Sequence, residues 1–199
     1  MRILIIGGTG TIGQSIGAEL SKRHEIIVAG YRQGEVQVDI ADKTSIEKMY
    51  QTVGKIDAVI ATTGKVHFGA FPDITAEQYA FGLNNKLMGQ VNLVTIGLNY
   101  VHDQGSFTLT SGIINRDPIR CGASAAMVNG AIDSFVTAAA IEMPRRLRIN
   151  AVSPTVVTES MDKYGDFFRG FVSVPVAVVA QTYVKAVEGA QTGQVYCVA

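Results

Sequence analysis

The chain has 199 residues, 47% of them hydrophobic, which suits one domain spanning residues 1–199 with a full-sized core. Its 17 Lys and Arg balance its 17 Asp and Glu, which argues against nucleic acid as a partner; no apolar run is long enough to cross a bilayer, which argues against a membrane. Cys121 and Cys197, far apart, read as reduced thiols of a cytoplasmic protein, and neither they nor His24, His67 and His102 have the spacing of a metal site.

Ile3-Leu4-Ile5-Ile6 reads as a buried strand that starts too early to leave room for a signal peptide. It runs straight into Gly7-Gly8-Thr9-Gly10-Thr11-Ile12-Gly13. Gly7, Gly10 and Gly13 allow a tight turn and close approach to a ligand. Ile12, Ile16 and Leu20 then recur at helical spacing. The N-terminus of such a helix offers free N–H groups and the positive end of its dipole, which suit a pyrophosphate. Thr9, Thr11 and Ile12 belong to the same binding turn; the alternative is a tight turn without a ligand.

The next strand, Ile26–Ala29, ends in Gly30-Tyr31-Arg32, with no acid at 29–34 to bond a ribose 2′-hydroxyl. Arg32 can pair bidentately with a 2′-phosphate, so NADP (NADPH) is expected ahead of NAD; otherwise Arg32 is an exposed residue at a strand end. The third strand, Val36–Val38, leads to Asp39-Ile40, an acceptor for an adenine amino group and an apolar contact for its ring. Capping of the next helix by Asp39 or Asp42 is the competing role. Ile46, Met49, Tyr50 and Val53 form one apolar helical stripe.

The fourth strand, Ala58–Ala61, ends in Thr62-Thr63-Gly64, where Thr63 and Gly64 would border the cofactor ribose. Thr75 and Gln78 have capping-box spacing and open a long helical segment to about Tyr100. The fifth strand, Ser106–Thr110, is followed by Ser111, which can hydrogen-bond a substrate carbonyl or serve as a turn or cap residue. A long helix is expected from about Ala123 to Arg145, and the sixth strand is Ile149–Val152. The rigid turn Ser153-Pro154-Thr155-Val156-Val157-Thr158 follows; it would frame a nicotinamide through Pro154 and Val156. Tyr164, Asp166, Phe167, Phe168 and Phe171 would cover a small apolar substrate, or serve as core or as an oligomer contact. Pro175 suits the first position of a last helix, and Gln194–Val198 closes the series. This alternation predicts an α/β fold: a Rossmann-like, doubly wound parallel sheet of about seven strands with helices on both faces. Its ligands would lie beyond the carboxyl ends of the strands.

With these residues in order, the chain resembles the short-chain dehydrogenase/reductase family over nearly its whole length. The glycine turn resembles the GxxGxxG form of extended and atypical members, because Thr11 stands where a glycine would. Asp39-Ile40 matches the family's adenine-contacting pair, Ala61-Thr62-Thr63-Gly64 falls on its Asn-Asn-Ala-Gly, and Ser111 falls on its catalytic serine. Asn150-Ala151-Val152-Ser153-Pro154 matches the stretch ending in Pro-Gly, with Thr155 in place of that glycine. The family's Tyr-x-x-x-Lys is missing: the alignment puts Ala125 at the tyrosine and Asn129 at the lysine, and no Tyr lies between Tyr100 and Tyr164. Counting three back from Gly89, Lys86 occupies the place of a family asparagine, with Asn85 beside it.

The resemblance implies an NADP-dependent oxidoreductase for a small carbonyl or alcohol with non-standard proton delivery. Ser111, Lys86 and Asn129 are the expected catalytic residues, with Tyr164 or His67 as other proton donors. The alternatives are a non-catalytic NADP(H) sensor or scaffold and a redox-neutral reaction such as epimerisation. The chain is short for the family, which leaves little room for a large substrate lid. Small residues of the Ala123 helix, from Ala125 to Ala140, together with the family's habit imply a homodimer or homotetramer, unless they serve packing onto the chain's own sheet.

Overall fold

The computed structural model describes residues 1–199. Seven strands form one sheet: β1 (Arg2–Ile6), β2 (Glu25–Gly30), β3 (Val36–Gln37), β4 (Ile56–Ala61), β5 (Val101–Thr110), β6 (Arg148–Pro154) and β7 (Val195–Val198). Every pairing is parallel, and the order is β3-β2-β1-β4-β5-β6-β7. The order reverses between β1 and β4, so a crevice opens there beyond the carboxyl ends. Ile3 to Ile6 are fully buried because helices cover both faces. On one face α2 (Lys43–Val53), α4 (Met88–Gly97) and α5 (Ala123–Ala139) contribute Met49, Tyr50, Leu93, Val128 and Ile132 to a core of 24 buried residues. On the other, α1 (Thr11–Leu20) and α7 (Val176–Glu188) bring Ile16, Leu20, Val179 and Tyr183 into a core of 13. No helix is long and apolar enough to cross a membrane.

Four expectations shift. The segment from Thr75 to Tyr100 is not one regular helix. It is α3 (Ala76–Gly82), opened by the reciprocal Thr75–Gln78 capping box, then a π turn at Leu83–Leu87, then α4. The helix from Ala123 stops at Ala139 rather than reaching Arg145. Pro144 lacks an N–H and disfavours helix at the residue before it. Arg145 and Arg146 then turn left-handed (φ 53° and 57°), and the Arg145 guanidinium bonds the carbonyls of Leu98 and Val101. Pro175 lies one residue outside α7 as its N-cap, where its carbonyl accepts from Val178 and Val179. Strand β5 begins at Val101, earlier than expected, with a register irregularity against β4 between Ile56 and Ala58. The short helix α6 (Met161–Tyr164) follows β6 and precedes α7.

Candidate active site

The turn after β1 is held by its own backbone. Gly7 has φ +84°, donates to the Ala29 carbonyl at 2.8 Å, and has no room for a side chain: a Cβ would lie 2.7 Å from the Thr62 carbonyl oxygen. A Cβ on Gly13 would meet the Gly7 carbonyl oxygen at 2.3 Å. These two glycines therefore serve first to seat α1 against the turn and the turn against β4. Thr9, Gly10 and Thr11 are exposed at its tip, and the N–H groups of Thr11, Ile12 and Gly13 have no backbone acceptor. Such donors at a helix start fit the oxygens of a pyrophosphate.

Beyond β2 and β3 a small cavity of about 130 Å³ is lined by Asp39, Ile40, Thr63, Gly64, Lys65 and their neighbours. One Asp39 carboxylate oxygen accepts from the Ala41 N–H at 2.9 Å, while Asp42 caps α2 through the Thr44 N–H. Capping thus belongs to Asp42 and leaves Asp39 at the pocket wall. Arg32 is exposed, has no carboxylate partner, and lies 5.9 Å from the Tyr31 ring centroid; the Lys65 ammonium lies 5.6 Å from the same ring. Lys65 was not singled out in the sequence, because nothing local marks a lone lysine after a strand. Gly64, with φ +125°, has a role the sequence did not suggest: the space its Cβ would fill holds Lys86, with Cγ at 2.5 Å. Its glycine lets the lysine pass.

Lys86 sits in the π turn. Its ammonium donates to the Ser111 carbonyl at 2.8 Å and to Asn129 Oδ1 at 2.7 Å. The preceding Asn85 accepts from the Lys65 N–H at 2.7 Å, so two consecutive residues of the turn serve the crevice. The three residues expected to be catalytic are brought together: Lys86, Ser111 at the end of β5, and Asn129 on α5. Burial lowers the Lys86 pKa to about 8, against the pull of the Asp133 carboxylate, which raises it. Asp133 follows Asn129 by one helical turn and is held by Asn115 Nδ2 at 2.7 Å and Arg116 at 2.6 Å; Arg116 also reaches Ser153. The Ser111 hydroxyl is buried and unpartnered. Ala125, which the sequence alignment sets against the family's tyrosine, is 1% exposed and offers no acid.

A cavity of about 290 Å³ adjoins this cluster, lined by Ile12, Gly112, Asn129, Pro154, Val156 and others, including Phe68, Tyr164 and Phe168. The aromatic cluster therefore splits: Tyr164 and Phe168 face this cavity, while Asp166, Phe167 and Phe171 line a neighbouring one with Pro118 to Cys121. His67 is not among the lining residues; its Nε2 folds back against Gly69. Gln90, which nothing in the sequence sets apart from Asn92 and Thr95 of the same helix, is fully buried. It bonds Thr110 N–H and C=O, both at 2.9 Å, and the Thr63 carbonyl at 3.3 Å. It thereby joins the ends of β4 and β5 on which the site stands.

A doubly wound sheet with a glycine turn at its first strand and a serine at the end of its fifth defines a nucleotide-binding oxidoreductase class. The chain belongs to the short-chain dehydrogenase/reductase family: residues 8–192 match the family profile described as Enoyl-(Acyl carrier protein) reductase. The crystal structure of the protein lin1944 from Listeria innocua superimposes with a TM-score of 0.99 at 51% identity over 100% of both chains. A small-chain dehydrogenase in complex with NADPH superimposes with a TM-score of 0.89 at 26% identity, covering 100% of this chain and 96% of that one. Among curated proteins, the uncharacterized oxidoreductase YmfI of Bacillus subtilis is 25% identical over 79% of this chain and 75% of its own length. L-xylulose reductase of Mesocricetus auratus is 27% identical over 64% of this chain and 54% of its own length. The chain thus spans about half to three-quarters of the length of these curated relatives. The family and these relatives mark it as an oxidoreductase of the short-chain dehydrogenase/reductase type.

Proposed function

We propose that the protein is an NADP-dependent reductase of small carbonyl compounds in which Lys86 delivers the proton that a tyrosine delivers elsewhere in the family. The observation that carries this reading is the Lys86 ammonium held between the Ser111 carbonyl and Asn129, the latter a lining residue of the 290 Å³ cavity. A nicotinamide coenzyme, when bound, supplies the hydride. In this reading Gly7, Thr9, Gly10, Thr11, Ile12 and Gly13 hold its pyrophosphate, Arg32 its 2′-phosphate, Asp39 and Ile40 its adenine. Thr63 and Gly64 border its ribose, and Pro154 and Val156 frame its nicotinamide. The free N–H groups of the turn and the orphaned Ser111 hydroxyl support the assignment, as does the NADPH complex of a 26% identical neighbour.

The chain's own residues do the remaining work. The Ser111 hydroxyl donates to the carbonyl oxygen and orients it. Two hydrogen bonds occupy two of the three Lys86 N–H groups and leave the third for that oxygen. As the oxygen gains charge, Lys86 gives it a proton and recovers one from water. Asn129 fixes the ammonium, and Asp133 favours its charged form. Such general-acid help contributes about 10²–10⁴-fold. We also assign the protein to the cytoplasm as a homodimer or homotetramer. Exposed Phe81, Met88 and Met127 on mutually packed helical segments support association.

The test follows NADPH oxidation against a panel of small aldehydes and ketones. Ser111→Ala and Lys86→Met should each lower kcat/KM by about 10²-fold or more, with NADPH affinity within about twofold of the parent. Tight NADPH binding without any turnover would replace this reading with a nucleotide sensor, which the burial of Ala125 at the tyrosine position favours.

A further inference from the structure

We infer that the cavity beside Ser111 and Asn129 takes a flat, uncharged, apolar carbonyl compound and rejects substrates bearing a carboxylate, phosphate or ammonium group. This deepens the reductase reading and rests on it. Of the 13 residues lining the cavity, none carries a formal charge. Its polar side chains are few: Asn129, Thr155, Ser160 and the Tyr164 hydroxyl. Phe68 comes from the stretch after β4, Tyr164 and Phe168 from the segment after β6, and they meet at the same space. Phe68 and Tyr164 are 46% and 40% exposed, so ring surface faces water that a flat apolar ligand would displace.

Among the charged side chains nearby, the Lys163 ammonium lies 5.0 Å from the Tyr164 ring centroid but does not line the cavity; others are held by partners. Arg116 is bound to Asp133 and Ser153. Lys86 is held by Ser111 and Asn129, does not line the cavity, and has one N–H left, which the proposed reduction gives to the carbonyl oxygen. Arg120, Asp166 and Arg169 belong to the neighbouring cavity, where Arg169 pairs with Asp166 at 2.9 Å. An ion entering the 290 Å³ space would shed its water without a counter-charge, and that desolvation is what the site cannot offset. A volume at the low end of small-ligand sites, about 300–1,000 Å³, shared with a nicotinamide ring, limits the substrate to roughly a single ring with a short substituent.

The experiment compares 4-isopropylbenzaldehyde with 4-carboxybenzaldehyde, which match in shape and differ in charge. In both, hydride from NADPH adds to the carbonyl carbon and the oxygen takes a proton, giving the benzylic alcohol and NADP⁺. The isopropyl compound should show kcat/KM about 100-fold higher or more. Phe68→Lys puts a cation at the exposed rim and should raise kcat/KM for the carboxylate compound about tenfold while lowering it for the other. A wild-type ratio below about tenfold, or a ratio unmoved in Phe68→Lys, overturns the inference. Saturation-transfer NMR of the two product alcohols on the wild-type protein with NADP⁺ gives a readout free of turnover. Saturation of 4-isopropylbenzyl alcohol alone, with neither aldehyde reduced, keeps the cavity assignment and removes the reductase reading. Saturation of 4-(hydroxymethyl)benzoate to the same degree removes the cavity assignment.

Discussion

Lys86 is the residue on which most depends, and its environment gives it a pH signature. Burial takes its pKa from 10.5 to about 8, so between those values the folded protein binds fewer protons than the unfolded chain. Stability contributed at this site therefore rises with pH across that window, and below pH 8 the full cost of the buried charge remains. Wild-type protein should gain thermal stability relative to Lys86→Met as pH climbs from about 8 to 10.5, with a constant difference below that. The same proton serves the proposed reduction. Its kcat/KM should fall as pH rises through about 8, and Lys86→Met should lose that limb; a limb retained in the variant removes Lys86 as the donor. The lysine was legible in the sequence only as a departure from a family asparagine. Its bond to Asn129 was not, because the two lie 43 positions apart and meet only through the packing of the π turn on α5.

At the scale of elements, the strands followed from short apolar runs and the amphipathic α2 from its spacing, while the order of the strands in the sheet came only from the structure. What the pattern missed is instructive. A π turn adds a residue to a helix, and Leu83-Asn84-Asn85-Lys86-Leu87 contains no Pro or Gly to mark it, so the stretch from Ala76 to Gly97 gives no sign of the break there. Asn85 and Lys86, with their bonds to Lys65, Ser111 and Asn129, both lie in that break. Gln90 fixes the neighbouring elements: its amide takes the place of a missing ladder bond at Thr110 and reaches over to Thr63. Gln90→Leu would leave a buried N–H and two carbonyls without this partner. A loss of about 3 kcal/mol in urea unfolding is expected, since each such group costs about 1–3 kcal/mol and part is regained by relaxation. Because the clamp holds the chain next to Ser111, kcat should also fall more than KM rises. A variant within about 0.5 kcal/mol of the parent would show the clamp to be dispensable.

At the scale of the whole molecule, the turn after β1, the pocket after β3 and the turn after β6 belong to different strands of one sheet, so a ligand that bridges them stabilises the sheet as a unit. A dinucleotide bound only to the folded state adds RT ln(1 + [L]/Kd), about 2.7 kcal/mol at a hundredfold excess over Kd. For a chain of this length each kcal/mol moves Tm by about 2–4 °C, so saturating NADPH should raise Tm by roughly 5–10 °C. NADH lacks the 2′-phosphate proposed for Arg32, which has no carboxylate partner and lies 5.9 Å from the Tyr31 ring, with Lys65 5.6 Å from the same ring. At equal concentration it should shift Tm less. Arg32→Glu sets a carboxylate against that phosphate, so the NADPH shift should drop to the NADH value or below it, while the NADH shift stays within about 1 °C of the parent's. Equal shifts for both coenzymes in the parent protein would remove the assignment of Arg32 to the phosphate. No shift with either would remove the dinucleotide from the crevice altogether, since a ligand gripping three strand ends cannot bind without raising the unfolding temperature.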